Sequence, residues 1–384
     1  MNKYNLVFIG VDVDDKCFSG CVMTKNSNRI NEFRSKPNLG ALVKKIEKLC
    51  YDKNLIKICY EAGYLGYSLQ RDLNNKGYHC DIVAPSLTPK QPGSKVKTNR
   101  IDAKKLTKYY MNDLLTIVTP PSKEDESARD FLRSRKFVVD EVKRKKLHVQ
   151  SICRRMGLNY REETHNPKAD YWTVAHRKWL DKTINKIRDE YLKFNLTLLL
   201  NQLEQLESSL KNYNDKVVNL SEDPKYKLSV HALCCFRGID TLTALTFIFA
   251  MGDISRFSHP KKITSYAGLD LIEYSSGDNE YKYCISKMGN KYLRTGAVEA
   301  CQLVTRAPRI SKRLKEKRKG VHPDLIKIAD KCMNRLYKKS MKLMFTRKGH
   351  NKIKTACARE LLCFVWEVLT KVKNGNFILS SPQI

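Results

Sequence analysis

The sequence predicts an α/β domain followed by helical regions, and three observations carry that reading. Over roughly the first 115 residues, short apolar runs alternate with helical periodicity. Past Asn166-Pro167, apolar residues recur in alternating steps of four and three. From Leu228 onward helical patterning resumes, interrupted by a glycine-turned stretch around Ser275-Ser276. The first element is Leu6-Val-Phe-Ile-Gly-Val-Asp12, an apolar run that reads as a buried strand ending on a carboxylate. A turn at Asp14-Asp15 leads to a strand over Phe18 to Met23 and a short one near Arg29 to Phe33. Leu42, Val43, Ile46 and Leu49 have the spacing of a helix over Leu39 to Cys50. Ile56-Lys-Ile-Cys-Tyr-Glu61 is a further buried strand ending on an acid, followed by a helix from Gly66 to Leu73 and a strand from His79 to Val83. A Pro/Gly-rich basic loop from Leu87 then runs into a helix carrying Asn99 and Asp102.

Three strands, then helix, strand, helix, strand, helix, is the order of an RNase H-like domain. Its expected span is 1–160, with a helical connector over 161–225 and a mostly helical C-terminal domain over 226–384. Within the connector, one register runs Leu180, Ile184, Ile187, Tyr191, Phe194 and Leu198, and a second runs Leu199, Leu203, Leu206, Leu210, Tyr213, Val217 and Leu220. That is coiled-coil spacing, and the slip at 198/199 predicts a skip or a break. Spacing alone leaves a dimerising coil and an intramolecular hairpin both open.

Composition excludes several classes. The 384 residues carry a formal net charge of +32, far beyond what solubility requires, which points to a polyanionic partner. The excess is uneven: residues 301–360 hold 19 Lys and Arg against 4 Asp and Glu. Apolar residues make up 42%, too many for a disordered chain. No apolar run approaches the ~18 residues of a membrane span, and no secretory signal pattern opens the chain. The 13 cysteines are scattered, mostly within apolar runs, with no C-x-x-C pair. They read as reduced core thiols of a cytosolic protein rather than as zinc ligands or a disulfide framework.

The acids define a candidate metal site. Asp12 and Glu61 each end a strand, where sites on open sheets gather. Asn99 and Asp102 stand three residues apart on one helical face, ringed by Lys95, Lys97 and Arg100. Oxygen ligands beside cations suit a magnesium ion that faces phosphates. Farther on, Gly238 precedes a helix in Phe236-Arg-Gly-Ile-Asp240, a turn that in some proteins offers N–H groups to a phosphate and more commonly only joins two helices. Ser275 and Ser276 precede Gly277, with Lys287, Lys291 and Arg294 downstream. A serine among cations can attack a phosphodiester, because the cations stabilise the developing charge. Taken alone, Ser-Ser-Gly is a turn. The clustered Lys312, Arg313, Lys315, Lys317, Arg318 and Lys319 read as a nucleic-acid surface. His148 and His176 show no ligand spacing and read as surface or RNA-contacting residues.

Several motifs in one order make the chain recognisable. Gly10-Val-Asp-Val13, Tyr60-Glu-Ala-Gly63, Lys97-Thr-Asn-Arg-Ile-Asp-Ala103, Tyr274-Ser-Ser-Gly277, Ser286-Lys-Met-Gly-Asn290 and Ala358-Arg-Glu360 resemble the DEDD transposases of bacterial insertion sequences. That family includes the Piv-type DNA invertases, and its elements encode a bridge RNA. The resemblance covers almost the whole chain. It implies a RuvC-like N-terminal domain, a coiled-coil connector and a C-terminal transposase domain. It implies recombination rather than hydrolysis: Asp12, Glu61 and Asp102 bind Mg²⁺ or Mn²⁺, and a serine forms a covalent link to DNA that a second strand resolves. Ser276, adjoining Gly277, takes that role, with Ser275 in reserve. Partners implied are donor and target DNA, a structured guide RNA, and further copies of the chain, dimers assembling into a tetramer. The implied setting is the bacterial cytoplasm, at the nucleoid. In such a division of labour base pairing reads sequence, while Lys and Arg supply affinity.

One departure stands out, since the family pattern has Asp where this chain has Asn99. An amide oxygen still ligates Mg²⁺ but removes a negative charge from the site. Two further functions remain open at the level of sequence: a RuvC-like structure-selective nuclease using water, and a nucleic-acid-binding copy without chemistry.

Overall fold

β1 (Val7–Val13) is the strand on which the first part of the molecule is built. It pairs antiparallel with β2 (Phe18–Thr24), which pairs antiparallel with β3 (Ser27–Ser35). Helix α1 (Leu39–Glu47) follows, its first turn capped by Asn38, whose side chain accepts from the Ala41 amide. β4 (Ile56–Glu61) then lies parallel to β1 on the other side. A parallel neighbour needs a crossover, and α2 (Ser68–Asn75) supplies it before β5 (His79–Val83). After α3 (Asn99–Met111), the two-residue β6 (Ile117–Val118) closes the sheet, giving the order β3-β2-β1-β4-β5-β6. The edge strand β6 lacks a sequence signal because two residues carry no periodicity. In this computed structural model the described residues are 6–49, 52–89, 98–276, 279–375 and 377.

Alternation along β1 sorts its side chains between two layers. Val7, Ile9 and Val11 join Leu42, Val43, Ile46, Leu69 and Leu73 in a core beneath α1 and α2. Phe8 points the other way and packs with Cys59, Val83, Leu106 and Tyr110 beneath α3. Both faces are covered, which is why the strand reads as a continuous apolar run. Gly10 also faces α3, and a Cβ there would meet the Thr107 backbone nitrogen at 2.6 Å and the Ala103 oxygen at 2.9 Å. In place of that clash, the Gly10 amide donates to Thr107 Oγ1 at 2.9 Å, and the same hydroxyl donates to the Cys21 carbonyl at 3.0 Å.

The chain divides into compact units at Met1–Pro121 and Ser122–Ile384. The α/β unit thus closes short of the expected boundary at 160. The reason is α4 (Lys123–Arg155), whose apolar residues pack with helices that follow it. After the short α5 (Tyr160–Glu163) come α6 (Val174–Lys186) and α7 (Glu190–Ser221). Helix α7 lies antiparallel to α4, with Tyr213 beside Phe131, Asn214 bonded to Arg135 and Gln202 bonded to Lys145. The expected slip at 198/199 produces no break: α7 runs straight through it, and the helices part at 187–189 instead. Leu196, Leu199 and Leu203 are buried, while Tyr191, Phe194 and Leu198 stay exposed. The connector is therefore not a separate body but part of the second unit.

That unit continues with α8 (Lys227–Cys234), α9 (Thr241–Met251) and α10 (Pro260–Tyr266), then a hairpin of β7 (Leu271–Ser276) and β8 (Asn279–Ile285). α11 (Lys291–Ala300), α12 (Lys312–Lys317), α13 (Pro323–Phe345) and α14 (His350–Asn374) complete it. Their common core includes Phe236, Leu245, Phe247, Leu293, Leu325, Cys357 and Val365. Cys301, Cys332 and Cys357 lie within it, and burial pushes all three thiols up. Among the described residues no helix is long and apolar enough to cross a membrane.

His176 corrects its expected surface role. It is 2% exposed, packed among Tyr160, Tyr171, Trp172 and Trp179. Its Nδ1 accepts from the Trp172 amide at 3.1 Å, which requires a neutral ring with its proton on Nε2. Burial, with the Arg177 charge beside it, lowers its pKa from 6.5 to about 4. The unfolded chain therefore takes up a proton that the folded one refuses between those values, so stability falls as pH drops through this window. We expect a loss on the order of 2–4 kcal/mol from pH 7 to pH 4 at this residue. Thermal melting across that range should fall more steeply for the native chain than for His176→Phe; parallel curves would refute the assignment.

Candidate functional site

Strand register and the seating of α3 bring the acids toward one place. Phe8 meets Tyr110 edge-on at 5.7 Å, and Gly10 meets Thr107 and Ala103. Two strand residues (~6.8 Å) nearly match one helical turn (~5.4 Å), so α3 runs against the direction of β1. One further step sets Asp12 toward the first turn of α3, which carries Asn99 and Asp102. In the parallel ladder Val11 pairs with Tyr60, which places Glu61 beside Asp12 on the same face. Thr98 caps α3 by accepting from the Ile101 amide. All four site residues are partly buried at this end of the sheet.

The details differ from a closed ligand cage. Glu61 Oε1 accepts from Thr88 Oγ1 at 3.2 Å. The Asn99 side chain lies beside Asp14, a residue read in the sequence only as part of a turn. Asp14 accepts from the Lys16 amide at 3.0 Å, and that bond, helped by the Asp15 and Asn99 side chains, holds its carboxyl below the usual range. As placed, no three Asp, Glu, His or Cys side chains among the described residues are grouped tightly enough to hold a metal ion. The donor set itself, carboxylates and one amide oxygen, has the hard chemistry that Mg²⁺ takes. The signal for Asp14 was in the sequence: in Asp12-Val-Asp14 the acids stand two apart, so an extended chain turns both to one side.

Ser275 and Ser276 end β7, opposite Glu280 and Asn279 of β8, which places them by the hairpin turn. Gly277 and the side chains of 273–283 lie outside the described residues, as do Lys95 and Lys97. The base of the hairpin is tightly laced. Lys287 N donates to the Gly268 carbonyl, Asn290 N to the Tyr266 carbonyl, and Ser286 Oγ to Asp270 Oδ1 at 2.6 Å. Gly268, with φ +65°, leaves no room for a Cβ: one there would sit 2.8 Å from Arg294 Nη1 and from the Lys287 backbone. The Ser286-Lys-Met-Gly-Asn290 motif is thus the clamp that holds the hairpin to α10 and α11.

The cations divide into structural and outward ones. Lys312, Arg313 and Lys315 are exposed, as are Lys287 and Lys291. Arg318 overturns its expected role as a surface contact: it is 8% exposed, donating to the Cys235 carbonyl and pairing with Asp330 at 2.8 Å. Lys317 donates to the Ile239 carbonyl, Arg294 to the Ala267 carbonyl, and Arg100 pairs with Glu32. Charge clustering in sequence missed this because a six-residue helical segment necessarily turns some of its side chains inward. Gly238 likewise serves packing, its φ of +91° bringing it against the Ala300 carbonyl, while Asp240 caps α9 by accepting from Thr243 N.

The sequence matches the profile of the IS116/IS110/IS902 transposase family over residues 230–316, the span from α8 through the hairpin to α12. It is 29% identical over 376 residues to the putative transposase y4qE of Sinorhizobium fredii, covering 96% of this chain and 90% of that one. It is 28% identical over 351 residues to the transposase for insertion sequence element IS1533 of Leptospira borgpetersenii, covering 89% and 98%. A shorter match, 25% over 175 residues, is to the transposase for insertion sequence element IS1111A of Coxiella burnetii. With the hairpin and its clamp inside the matched span and near full-length agreement with two of these relatives, the chain is similar to the IS110-type transposases of insertion sequences.

Proposed function

We propose that this chain is an insertion-sequence transposase that cuts and rejoins DNA under the guidance of a structured RNA, with a RuvC-like first unit and a serine nucleophile in the second. The observation that carries the reading is the register of β1, with Val11 beside Tyr60 and Gly10 against Ala103 and Thr107, which supports a shared site for Asp12, Glu61 and the first turn of α3. The sheet order β3-β2-β1-β4-β5, with β4 and β5 parallel to β1, supports an RNase H-like assignment. Asp12, Glu61, Asp102 and the Asn99 amide would hold Mg²⁺ or Mn²⁺. When bound, such an ion neutralises charge developing on a phosphate.

The chain's own residues account for the remaining steps. Ser276 Oγ attacks phosphorus, forming an O–P bond while the displaced deoxyribose oxygen leaves as a hydroxyl after taking a proton. An incoming strand's hydroxyl then reverses the exchange and frees the serine. The number of phosphodiester bonds is conserved, so no external energy source is needed. Exposed Lys287, Lys291, Lys312 and Arg313 supply affinity for donor and target DNA and for the guide RNA. The exposed Tyr191, Phe194 and Leu198, at steps of three and four on α7, support pairing between copies on the way to dimers and tetramers. A nucleoid location in a bacterial cytoplasm follows from such substrates.

One observation favours a second reading. Asn99, beside Asp14, stands where the family pattern has an acid, so the copy is either weakened toward metal or catalytically decayed.

Three measurements test the proposal. Asp12→Ala, Glu61→Ala and Asp102→Ala should each reduce strand exchange by at least about 100-fold, the scale on which removal of one transition-state stabiliser acts, while leaving nucleic-acid binding within a few-fold of native. Retained exchange in all three would discard the acidic site. Denaturing gels with a nicked suicide substrate should trap a protein–DNA adduct that Ser276→Ala abolishes and Ser275→Ala does not; the opposite pattern moves the nucleophile to Ser275. Cleavage persisting without either serine would favour a water-using nuclease. Asn99→Asp should lower the Mg²⁺ concentration needed for activity, because a second carboxylate beside Asp14 repels its neighbour unless a cation lies between them. Identical metal titrations would exclude residue 99 as a ligand, and activity only in Asn99→Asp would mark a decayed copy.

A further inference from the structure

The second unit contains a cleft of about 370 Å³ between α4, α9 and α11 that the proposed chemistry does not use. Its size falls within the ~300–1,000 Å³ of small-molecule sites. Its floor is apolar, formed by Leu132, Leu242 and Phe249. Its rim carries Arg129, Arg133, Lys136 and Lys291, set against the acids Asp140 and Glu299. In the wall stands Tyr292, with the Arg133 guanidinium and the Lys291 ammonium each 5.2 Å from its ring centre. Asn290 Oδ1 accepts from the Tyr292 and Leu293 amides, so the wall is joined to the clamp at the hairpin base.

This combination selects its ligand. An apolar floor with one aromatic wall takes a flat, weakly polar body, and a cationic rim takes anionic groups at its edge. Nucleotides have both, because every base has a stacking face and every linkage a phosphate. Lys136 and Arg133 are not locked away from such a ligand. Lys136 pairs with Asp140 at 2.6 Å and Arg133 with Asp130 at 3.3 Å, but these are exposed pairs, which a phosphate displaces at little cost.

We propose that this cleft receives one unstacked nucleotide of the single-stranded nucleic acid handled by the protein. The base lies on the apolar floor against Tyr292, and its flanking phosphates lie on Arg133 and Lys291. The inference rests on the nucleic-acid function proposed above and adds a base-accepting subsite to it. DNA displaced during exchange and an unpaired stretch of RNA present the same chemistry.

Photocrosslinking tests the placement. Short single strands, one DNA carrying 4-thiothymidine and one RNA carrying 4-thiouridine, are irradiated with the full chain, and the adduct peptides are mapped by mass spectrometry. Adducts are expected within 129–136, 242–250 or 291–296, and the strand that gives them identifies the source. Tyr292→Ala should weaken binding about 5- to 100-fold without changing its salt dependence, because a lost stack carries no charge. Tyr292→Phe should bind as the native chain does. Lys291→Gln should reduce the salt slope by about one phosphate contact. Adducts confined to other segments overturn the cleft while leaving the nucleic-acid function standing, and failure of the native chain to bind either strand overturns both. The map is read on the native chain, so it decides even where Tyr292→Ala melts early.

Discussion

The close approach of α3 to β1 at Gly10 governs the candidate site. A strand and a helix come this near only where one of them lacks a side chain, and here a Cβ would lie 2.6 Å from a backbone nitrogen that no rotamer change can move. Thr107 completes the contact by accepting from the Gly10 amide and donating to the Cys21 carbonyl, so one hydroxyl ties helix, first strand and second strand together. The contact sets the height and the axial position of α3. Those two quantities decide whether Asn99 and Asp102 face Asp12 or miss it.

A comparable device organises the hairpin of the second unit. Gly268 and Gly289 let the 266–270 and 286–290 segments pack backbone against backbone, and Ser286, Asp270 and Arg294 lace them with hydrogen bonds. Two strands alone are marginal in water, so a firm base is what steadies such a hairpin. In both units, then, glycine permits a close approach and hydroxyl groups bind it together. The side chains proposed to react stand a few residues away in sequence from the contact.

The net charge of +32 is not spread as a uniform coat. Part of it is structural: Arg318 lies in the core, where the Cys235 carbonyl and Asp330 satisfy a guanidinium that burial would otherwise penalise heavily. Arg294 and Lys317 cap backbone carbonyls, and Arg100 balances Glu32. Other cations stand outside, among them those on α12, at Lys287 and along the rim of the α4–α9–α11 cleft.

Strand and helix identity in the first unit was legible in the sequence because period-two and helical patterns are local. His79–Val83 matches residue for residue, while the helix expected from Gly66 begins at Ser68. Asp12, Glu61 and Asp102 were legible as candidates because each stands at the end of an element that local pattern defines. The sequence did not disclose which cations are buried, since the fate of Arg318 depends on a carbonyl 83 residues away. Nor did it disclose that His176 sits in a cage of aromatics, or that the long helix of the connector pairs with α4 rather than standing apart. Tertiary structure alone decided that Asn99 lies beside Asp14, because that proximity joins a helix start to a strand end far removed in sequence. Local periodicity determines what each segment is; long-range packing determines what each side chain meets.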